Sequence, residues 1–177
     1  MIGDHIVLPN TAIAYNNDNI IITSFKAYIV IPSSTDTTIR LLDIEESLTC
    51  SLSNQTEIVI FGIDSIQTIR TDFTGDLDPV HGMFWTWNSG YINVKIEGIS
   101  QRSTQRNHIF QMHLGGYFSP HQTAFSLKIP QRESFEILMD IGPCIDALLT
   151  EYQGTVMSPG KQAHELMNIL QQSMHIE

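Results

Sequence analysis

Hydrophobic and polar residues alternate with a period of two through most of the first three quarters of the chain. The clearest segments are Tyr91–Glu97 and Ile109–Leu114, in which every second side chain is apolar. This alternation is typical of half-buried strands with one wet face, as in antiparallel sheets. Weaker forms of the same pattern predict further strands at Asn19–Thr23, Phe25–Ile31, Thr38–Asp43, Glu57–Ile63, Ala124–Ile129 and Phe135–Asp140.

A helical spacing replaces the alternation near the C-terminus. Leu166, Met167 and Leu170 recur at helical intervals, and the preceding Ser158-Pro159 pair is typical of a helix start. We therefore predict an amphipathic helix over Gly160–Met174.

A shorter helix is predicted over Ile145–Tyr152, because Gly142-Pro143 should prevent an earlier start.

The irregular segment Asp64–Phe84 is long for a connection, and we expect it to fold over one end of the sheets. Short strands at this spacing predict an all-β fold: antiparallel sandwich or barrel-like sheets with a C-terminal α-helix, forming a single domain over residues 1–177.

Charge limits the classes of partner. Acidic side chains outnumber basic ones 19 to 9, which gives a formal net charge of −10. Such a field repels phosphate backbones and anionic membrane surfaces, so nucleic acid is not an expected partner. No apolar run reaches the length of a membrane span.

Common enzyme motifs are missing from the sequence. It contains no G-x-S-x-G elbow, no phosphate-binding glycine loop and no H-E-x-x-H pair. The glycine-rich Leu114–Tyr117 stretch follows a strand and precedes no helix, so we expect a turn or bulge there. An enzyme with a single metal ion is also disfavoured, since no general base accompanies the histidines.

The segment His81–Tyr91 holds both tryptophans, two residues apart, next to a histidine and Met83. Met83 is expected to pack rather than to ligate. The chain has seven histidines, and imidazoles suit zinc, copper, iron and nickel alike. The metal-ligand candidates are His81, His113 on the polar face of a strand, and His121 after a turn, whereas His5, His164 and His175 are expected to be solvated.

The acidic loop and the two cysteines can each be interpreted in two ways. Asp72, Asp76 and Asp78, with Gly75 between them, supply oxygen ligands for a calcium ion, although a solvated acidic turn has the same composition. Cys50 and Cys144 allow one long-range disulfide, but two isolated cysteines are more often buried thiols.

Several stretches in a fixed order together resemble the MbnP-like proteins, a family named after the methanobactin biosynthesis cassette. They are Phe61-Gly-Ile-Asp-Ser65, Gly75-Asp-Leu-Asp-Pro79, Gly82-Met-Phe-Trp-Thr-Trp-Asn-Ser-Gly-Tyr91, Lys95-Ile-Glu-Gly98, Phe110-Gln-Met-His-Leu-Gly-Gly-Tyr117 and Val156-Met-Ser-Pro-Gly-Lys161. The likeness extends from Ile20 to Met174.

The resemblance implies an exported copper-binding protein of the periplasm or cell surface, with an antiparallel β fold. Characterised members hold copper between histidines and a tryptophan oxidised to kynurenine, and a di-haem peroxidase-like partner is associated with that oxidation. Carried onto this chain, the motifs point to His81, Trp85 and His113. No signal peptide precedes the first strand, so we expect the leader to have been removed from this sequence.

Two functions from different classes follow. The first is copper acquisition or storage without turnover, in which two imidazoles and the kynurenine amine form a nitrogen site suited to Cu(I). Ring opening matters because the indole nitrogen, with its lone pair in the ring, is a poor ligand. The second is a structural or adhesive surface domain, in which Trp85 and Trp87 pack the core. For Trp87 the core role is favoured.

Overall fold

The structure is a computed structural model that describes residues 20–32, 37–43, 58–63, 74–85, 90–130, 135 and 137–177. In this part the chain is mostly β: a curled, mixed half-barrel sheet is accompanied by two small sheets and two helices. The strands are Ile21–Ile31 (β1), Thr38–Asp43 (β2), Ile58–Phe61 (β3), Phe84–Trp85 (β4), Gly90–Tyr91 (β5), Val94–Ile99 (β6), Ile109–Leu114 (β7), Phe125–Lys128 (β8), Ile137–Met139 (β9), Thr155–Val156 (β10) and Met174–Ile176 (β11). The helices are Gly142–Glu151 (α1) and Lys161–Gln172 (α2), and 3-10 turns lie at Gly75–Leu77, Pro79–His81 and Arg106–His108.

Strand β1 organises the large sheet. Its N-terminal half pairs with β6, its C-terminal half pairs with β2, and β3 joins it at Ile29 and Val30. The register with β6 shifts between Ile22 and Ser24, so the two strands predicted in this region are one irregular strand. The sheet order is β10-β7-β6-β1-β3-β8, with β2 beside β1, and β4–β5 and β9–β11 form the small sheets.

The prediction of purely antiparallel sheets is wrong at one edge, where β10 pairs with β7 in parallel. Parallel neighbours need a crossover connection, and here α1 lies in the chain between the two strands. The sandwich prediction also needs correction. The main core packs one face of the large sheet against both helices, through residues such as Met112, Leu148 and Leu166, rather than against a second large sheet.

A second, smaller hydrophobic cluster includes Tyr28, Ile63, Met83, Trp85 and Tyr91. Tyr28 alternates along β1 with residues of the main core, so this cluster covers the opposite face of the sheet. The described part of the predicted loop, from residue 74 onward, lies against this face. Hydrogen bonds hold it there: the Tyr28 hydroxyl donates to the Asp76 carbonyl (2.9 Å) and the Tyr91 hydroxyl to the Leu77 carbonyl (2.7 Å).

The helices differ from prediction at their starts. Helix α1 begins at Gly142 because Pro143 sits in the first turn, where a missing N–H leaves no intrahelical bond unmade. Helix α2 lies within the predicted range, but its N-cap is Gly160 rather than Ser158. Met174, predicted at the helix end, belongs to β11. No helix in the described part of the chain combines the length and the apolar character that crossing a membrane would require.

Candidate metal site

A row of polar side chains crosses four neighbouring strands of the large sheet. Asp43 on β2 pairs with Lys26 on β1, Lys26 pairs with Lys95 on β6, and Lys95 pairs with His113 on β7. Their neighbours along each strand, such as Val94 and Leu114, belong to the main core. Alternation therefore directs the polar row to the opposite face, the one that also carries the second cluster.

His113 is the buried end of this row, with only 7% of its surface exposed. Its Nε2 lies 2.7 Å from Oε1 of Glu97 on β6. A carboxylate only accepts hydrogen bonds, so Nε2 donates, and in the neutral ring the lone pair lies on Nδ1. An imidazole oriented by a carboxylate in this way is a common arrangement at protein metal sites.

The electrostatics favour a neutral His113 beside an ionised Glu97. Burial, aided by the Lys95 charge, lowers the pKa of His113 against the opposing effect of Glu97. Burial acts to raise the pKa of Glu97, but the hydrogen bond from His113 and the Lys95 charge outweigh it and lower that pKa. Lys95 Nζ lies 3.5 Å from the same Glu97 oxygen. A neutral imidazole is the form that binds metal ions.

Trp85 lies at the end of the strand that carries His113. A Cβ added to Gly115 would meet Cζ3 of the Trp85 ring at 2.7 Å, and the Tyr91 carbonyl oxygen at 2.6 Å. Only glycine fits there, so the first glycine of the Leu114–Tyr117 stretch has a packing role. The contact brings the tryptophan ring to a position two residues beyond His113. Trp85 is 6% exposed, and Met83 beside it is fully buried, as predicted for a packing residue.

His81 ends a 3-10 turn that the Asp78 side chain caps. Its carbonyl oxygen accepts a hydrogen bond from Lys26 Nζ (3.1 Å), and a Cβ on Gly82 would lie 3.9 Å from Lys95 Nζ. His81 is therefore anchored above the same polar row that ends in His113. Its imidazole makes a separate contact, since Nε2 lies 2.9 Å from the Gly75 carbonyl oxygen.

The structure thus brings Trp85 to the end of the His113 strand and places His81 over the same sheet face. It does not join the His81 and His113 rings: within the described ranges, no group of three or more histidine, cysteine or acidic side chains is arranged to hold a metal ion. Trp87 lies outside the described residues. Sequence reasoning missed Lys95 and Glu97, although their alternation on the polar face of β6 is visible in the sequence.

The acidic loop has partners within the protein. Asp76 Oδ2 accepts a hydrogen bond from the Leu41 amide (3.0 Å) and pairs with Arg40 (3.4 Å), which fastens the loop to β2. Asp78 Oδ1 accepts from the Val80 amide (2.9 Å). Both carboxylates therefore have partners within the protein, and their positions need no calcium ion to explain them. Asp72, the third predicted ligand, lies outside the described residues.

Cys144 is a free, buried thiol, in agreement with the interpretation favoured over a disulfide. Its sulfur lies 3.3 Å from both the Met112 sulfur and the Leu166 carbonyl oxygen, inside the main core. Cys50 lies outside the described residues.

The comparison with protein families confirms the resemblance seen in the sequence. The family model described as MbnP matches residues 6–158. A similar solved structure is MbnP from Methylosinus trichosporium, which is 12% identical; the match covers 78% of this chain and 70% of that chain, with a TM-score of 0.42. No curated protein matches the chain at a significant level.

Proposed function

Because the chain belongs to the MbnP family, we propose that it is a single-domain, non-catalytic copper-binding protein whose site comprises His113, Trp85 and His81. The proposal includes export to the periplasm or cell surface and a role in copper acquisition or storage. The observation that carries it is the His113–Glu97 pair, a buried neutral imidazole oriented by a carboxylate, at the end of the strand that Trp85 covers.

His113 would hold copper through Nδ1, because Nε2 is committed to Glu97. In this structure His81 Nε2 donates to the Gly75 carbonyl oxygen, since a carbonyl can only accept. To reach a common ion, the His81 ring would exchange that single hydrogen bond for a metal bond. Two imidazoles are a donor set that copper accepts readily.

Trp85 in its ordinary form offers no nitrogen lone pair to a metal. Oxidative cleavage of the indole C2–C3 bond, which adds two oxygen atoms, followed by hydrolytic loss of C2 as formate, would give kynurenine, expose an aromatic amine and complete a site of three nitrogen donors. A di-haem peroxidase-like partner would carry out that oxidation. Copper bound to such a site would favour the Cu(I) state, for which a low coordination number is suitable.

The polar row and the adjacent Glu97 together carry no net charge that would oppose a cation. Lys26 Nζ lies 3.6 Å from Asp43 Oδ2, and Lys95 Nζ lies 3.5 Å from Glu97 Oε1, so each lysine is matched by an acid. An ion entering beside His113 therefore meets compensated pairs rather than two free ammonium groups.

One observation favours the rival function, a structural or adhesive domain without metal. Trp85 is packed in the second cluster with Tyr28, Met83 and Tyr91, and this packing alone accounts for its burial. In that case the His113–Glu97 pair would serve only to satisfy the buried imidazole through a half-buried carboxylate.

The test compares Cu(I) content after loading for wild type, His113→Gln and His175→Ala. Glutamine keeps a donor where Nε2 bonds Glu97 but removes Nδ1, and His175 is an exposed control on β11. We expect copper loss in His113→Gln alone. Equal copper content in all three proteins would contradict the proposed site.

Mass spectrometry of the Trp85 peptide, after coexpression with the host's peroxidase-like partner, should show kynurenine. Unmodified tryptophan in that peptide would contradict the kynurenine part of the proposal.

A further inference from the structure

A second pair of histidines meets where the loop after β7 packs against the start of α2. The ring centroids of His121 and His164 lie 5.9 Å apart, with the ring planes inclined by 56°. Neither residue belongs to the proposed copper site. His164 was predicted to be solvated, but its ring is half-buried and bonded to the loop.

The His164 ring has a defined donor and acceptor. Its Nδ1 lies within hydrogen-bond distance of the Gln122 carbonyl oxygen. Since a carbonyl only accepts, Nδ1 carries the hydrogen, and Nε2 of the neutral ring keeps its lone pair. A histidine held by a backbone carbonyl through one nitrogen, with the other available, has the usual orientation of a metal ligand.

The His121 ring has an unsatisfied nitrogen. Within the described part of the chain, its Nδ1 is the buried side-chain nitrogen or oxygen atom that lacks a hydrogen-bond partner. Buried polar atoms are nearly always bonded, so an exception calls for an explanation such as an ion or water at that position. A transition metal would satisfy Nδ1 and would use the Nε2 lone pair of the neighbouring ring at the same time.

The loop that carries His121 is firmly held. Both the amide and the hydroxyl of Thr123 donate to the Gly116 carbonyl, at 3.0 and 3.1 Å, and the buried Asn93 amide donates to the same hydroxyl at 2.9 Å. A Cβ on Gly116 would meet Pro159, just before α2, at 3.3 Å. The two rings are therefore positioned by the fold on both sides.

From this geometry we propose that His121 Nδ1 and His164 Nε2 form a second, two-histidine site for a divalent transition-metal ion of the zinc, copper and nickel class. Metal–imidazole bonds are about 2.0–2.1 Å long, so two rings that share one ion have centroids about 5–6 Å apart. The observed 5.9 Å lies in that range. Water would complete the coordination. The site stands on different residues from the copper site and does not depend on it.

The test measures Zn²⁺ binding by calorimetry and metal analysis on the full chain, for wild type, His121→Gln and His164→Asn. Asparagine keeps a donor for the Gln122 carbonyl while removing Nε2, and glutamine removes Nδ1 of His121. We expect one zinc ion lost in each variant, with affinity reduced about tenfold or more. His175→Ala, an exposed position on β11, should bind zinc as wild type does.

Nitrogen NMR of the imidazoles gives a second readout that does not depend on the variants. On zinc addition, the resonances of His121 Nδ1 and His164 Nε2 should shift together. Zinc affinity unchanged in His164→Asn, or unshifted resonances for both rings, would overturn the proposal. Copper retained in His164→Asn and lost in His113→Gln would show that the two sites are separate; failure of the copper proposal would leave the His164→Asn zinc result unaffected.

Discussion

The side chain of Asn93 occupies the space next to the α-carbon of Gly62. A Cβ on Gly62 would lie 2.7 Å from both Cγ and Nδ2 of Asn93. The contact marks the point where β3 and β6 separate: the Tyr28 amide donates to the Asn93 carbonyl, and the Gly62 amide donates to the Tyr28 carbonyl. Beyond it, Asn93 Oδ1 accepts from the Ile63 amide at 2.9 Å, so the side chain fills the gap between diverging strands.

Replacing Gly62 with alanine should destabilise the fold by about 2–4 kcal/mol, from the left-handed backbone and from overpacking. Gly62 has φ +88°, and the new methyl group would press on the buried Asn93 amide. Gly75→Ala is the matched control, since φ there is +67° but nothing lies within 4 Å. Urea unfolding measures the loss of unfolding free energy in both variants, and the difference between the two losses is the cost of the steric contact with Asn93. If both variants lose the same free energy of unfolding, displacing the Asn93 side chain costs no energy.

The local parts of the fold were predictable from sequence. Strands β2 and β7 have the predicted bounds, because short alternating runs with turn residues beside them are determined locally. The parallel β10–β7 edge was not predictable, since it depends on where α1 returns the chain. The helix starts differ from prediction for local reasons, because the first turn of α1 accommodates Pro143 and Gly160, rather than Ser158, is the N-cap of α2.

The candidate sites were predictable only in part. Motif order gave His113 and Trp85, but the pairing of His113 with Glu97 depends on the β6–β7 register, which single-strand alternation does not determine. The His121–His164 contact joins residues 43 positions apart through loop packing. Helical spacing placed His164 on the polar side of α2, and nothing in the sequence showed that the loop would cover it.

The thiol of Cys144 should be almost unreactive in the native protein. Burial raises its pKa, so at about pH 8 the reactive thiolate is scarce, and the core also blocks access. In a Cys50→Ser variant, reaction with Ellman's reagent should be slower than in guanidinium chloride by on the order of 100-fold or more. Similar rates in both conditions would contradict the buried position. Unfolded wild type should titrate two thiols without reductant; none would indicate the disulfide instead.

The Tyr152 hydroxyl should ionise at a higher pH than an ordinary tyrosine. A hydrogen bond to Glu165 (2.8 Å), followed by burial and acidic neighbours, raises its pKa to about 12. The ordinary value is about 10, so this stabilising contact is complete below pH ~10 and is lost as the pH rises towards 12. Glu165→Gln should lower the pKa by removing the negative charge, whereas Glu177→Gln should not. Carbon NMR of the tyrosine rings measures both, and an unchanged pKa in Glu165→Gln would refute the assignment.

Glu97 should tune copper binding without touching the ion. Its Oε1 accepts from His113 Nε2 and lies 3.5 Å from Lys95 Nζ, while Gln111 donates to the same oxygen at 3.3 Å. Glu97→Gln keeps an oxygen acceptor for the imidazole but removes the negative charge that makes Nδ1 a stronger donor. Loss of such an outer partner weakens metal binding by about 10–100-fold.

The measurement is a Cu(I) titration in competition with a coloured chelator, with Glu165→Gln on α2 as the control. Circular dichroism should show the same fold for both variants, because Glu97 lies on a partly exposed face of β6. If His113→Gln loses copper while Glu97→Gln binds it as tightly as wild type, His113 does not ligate in the orientation that Glu97 imposes. If Glu97→Gln binds copper more weakly than wild type and Glu165→Gln does not, the copper affinity depends on the Glu97–His113 pair.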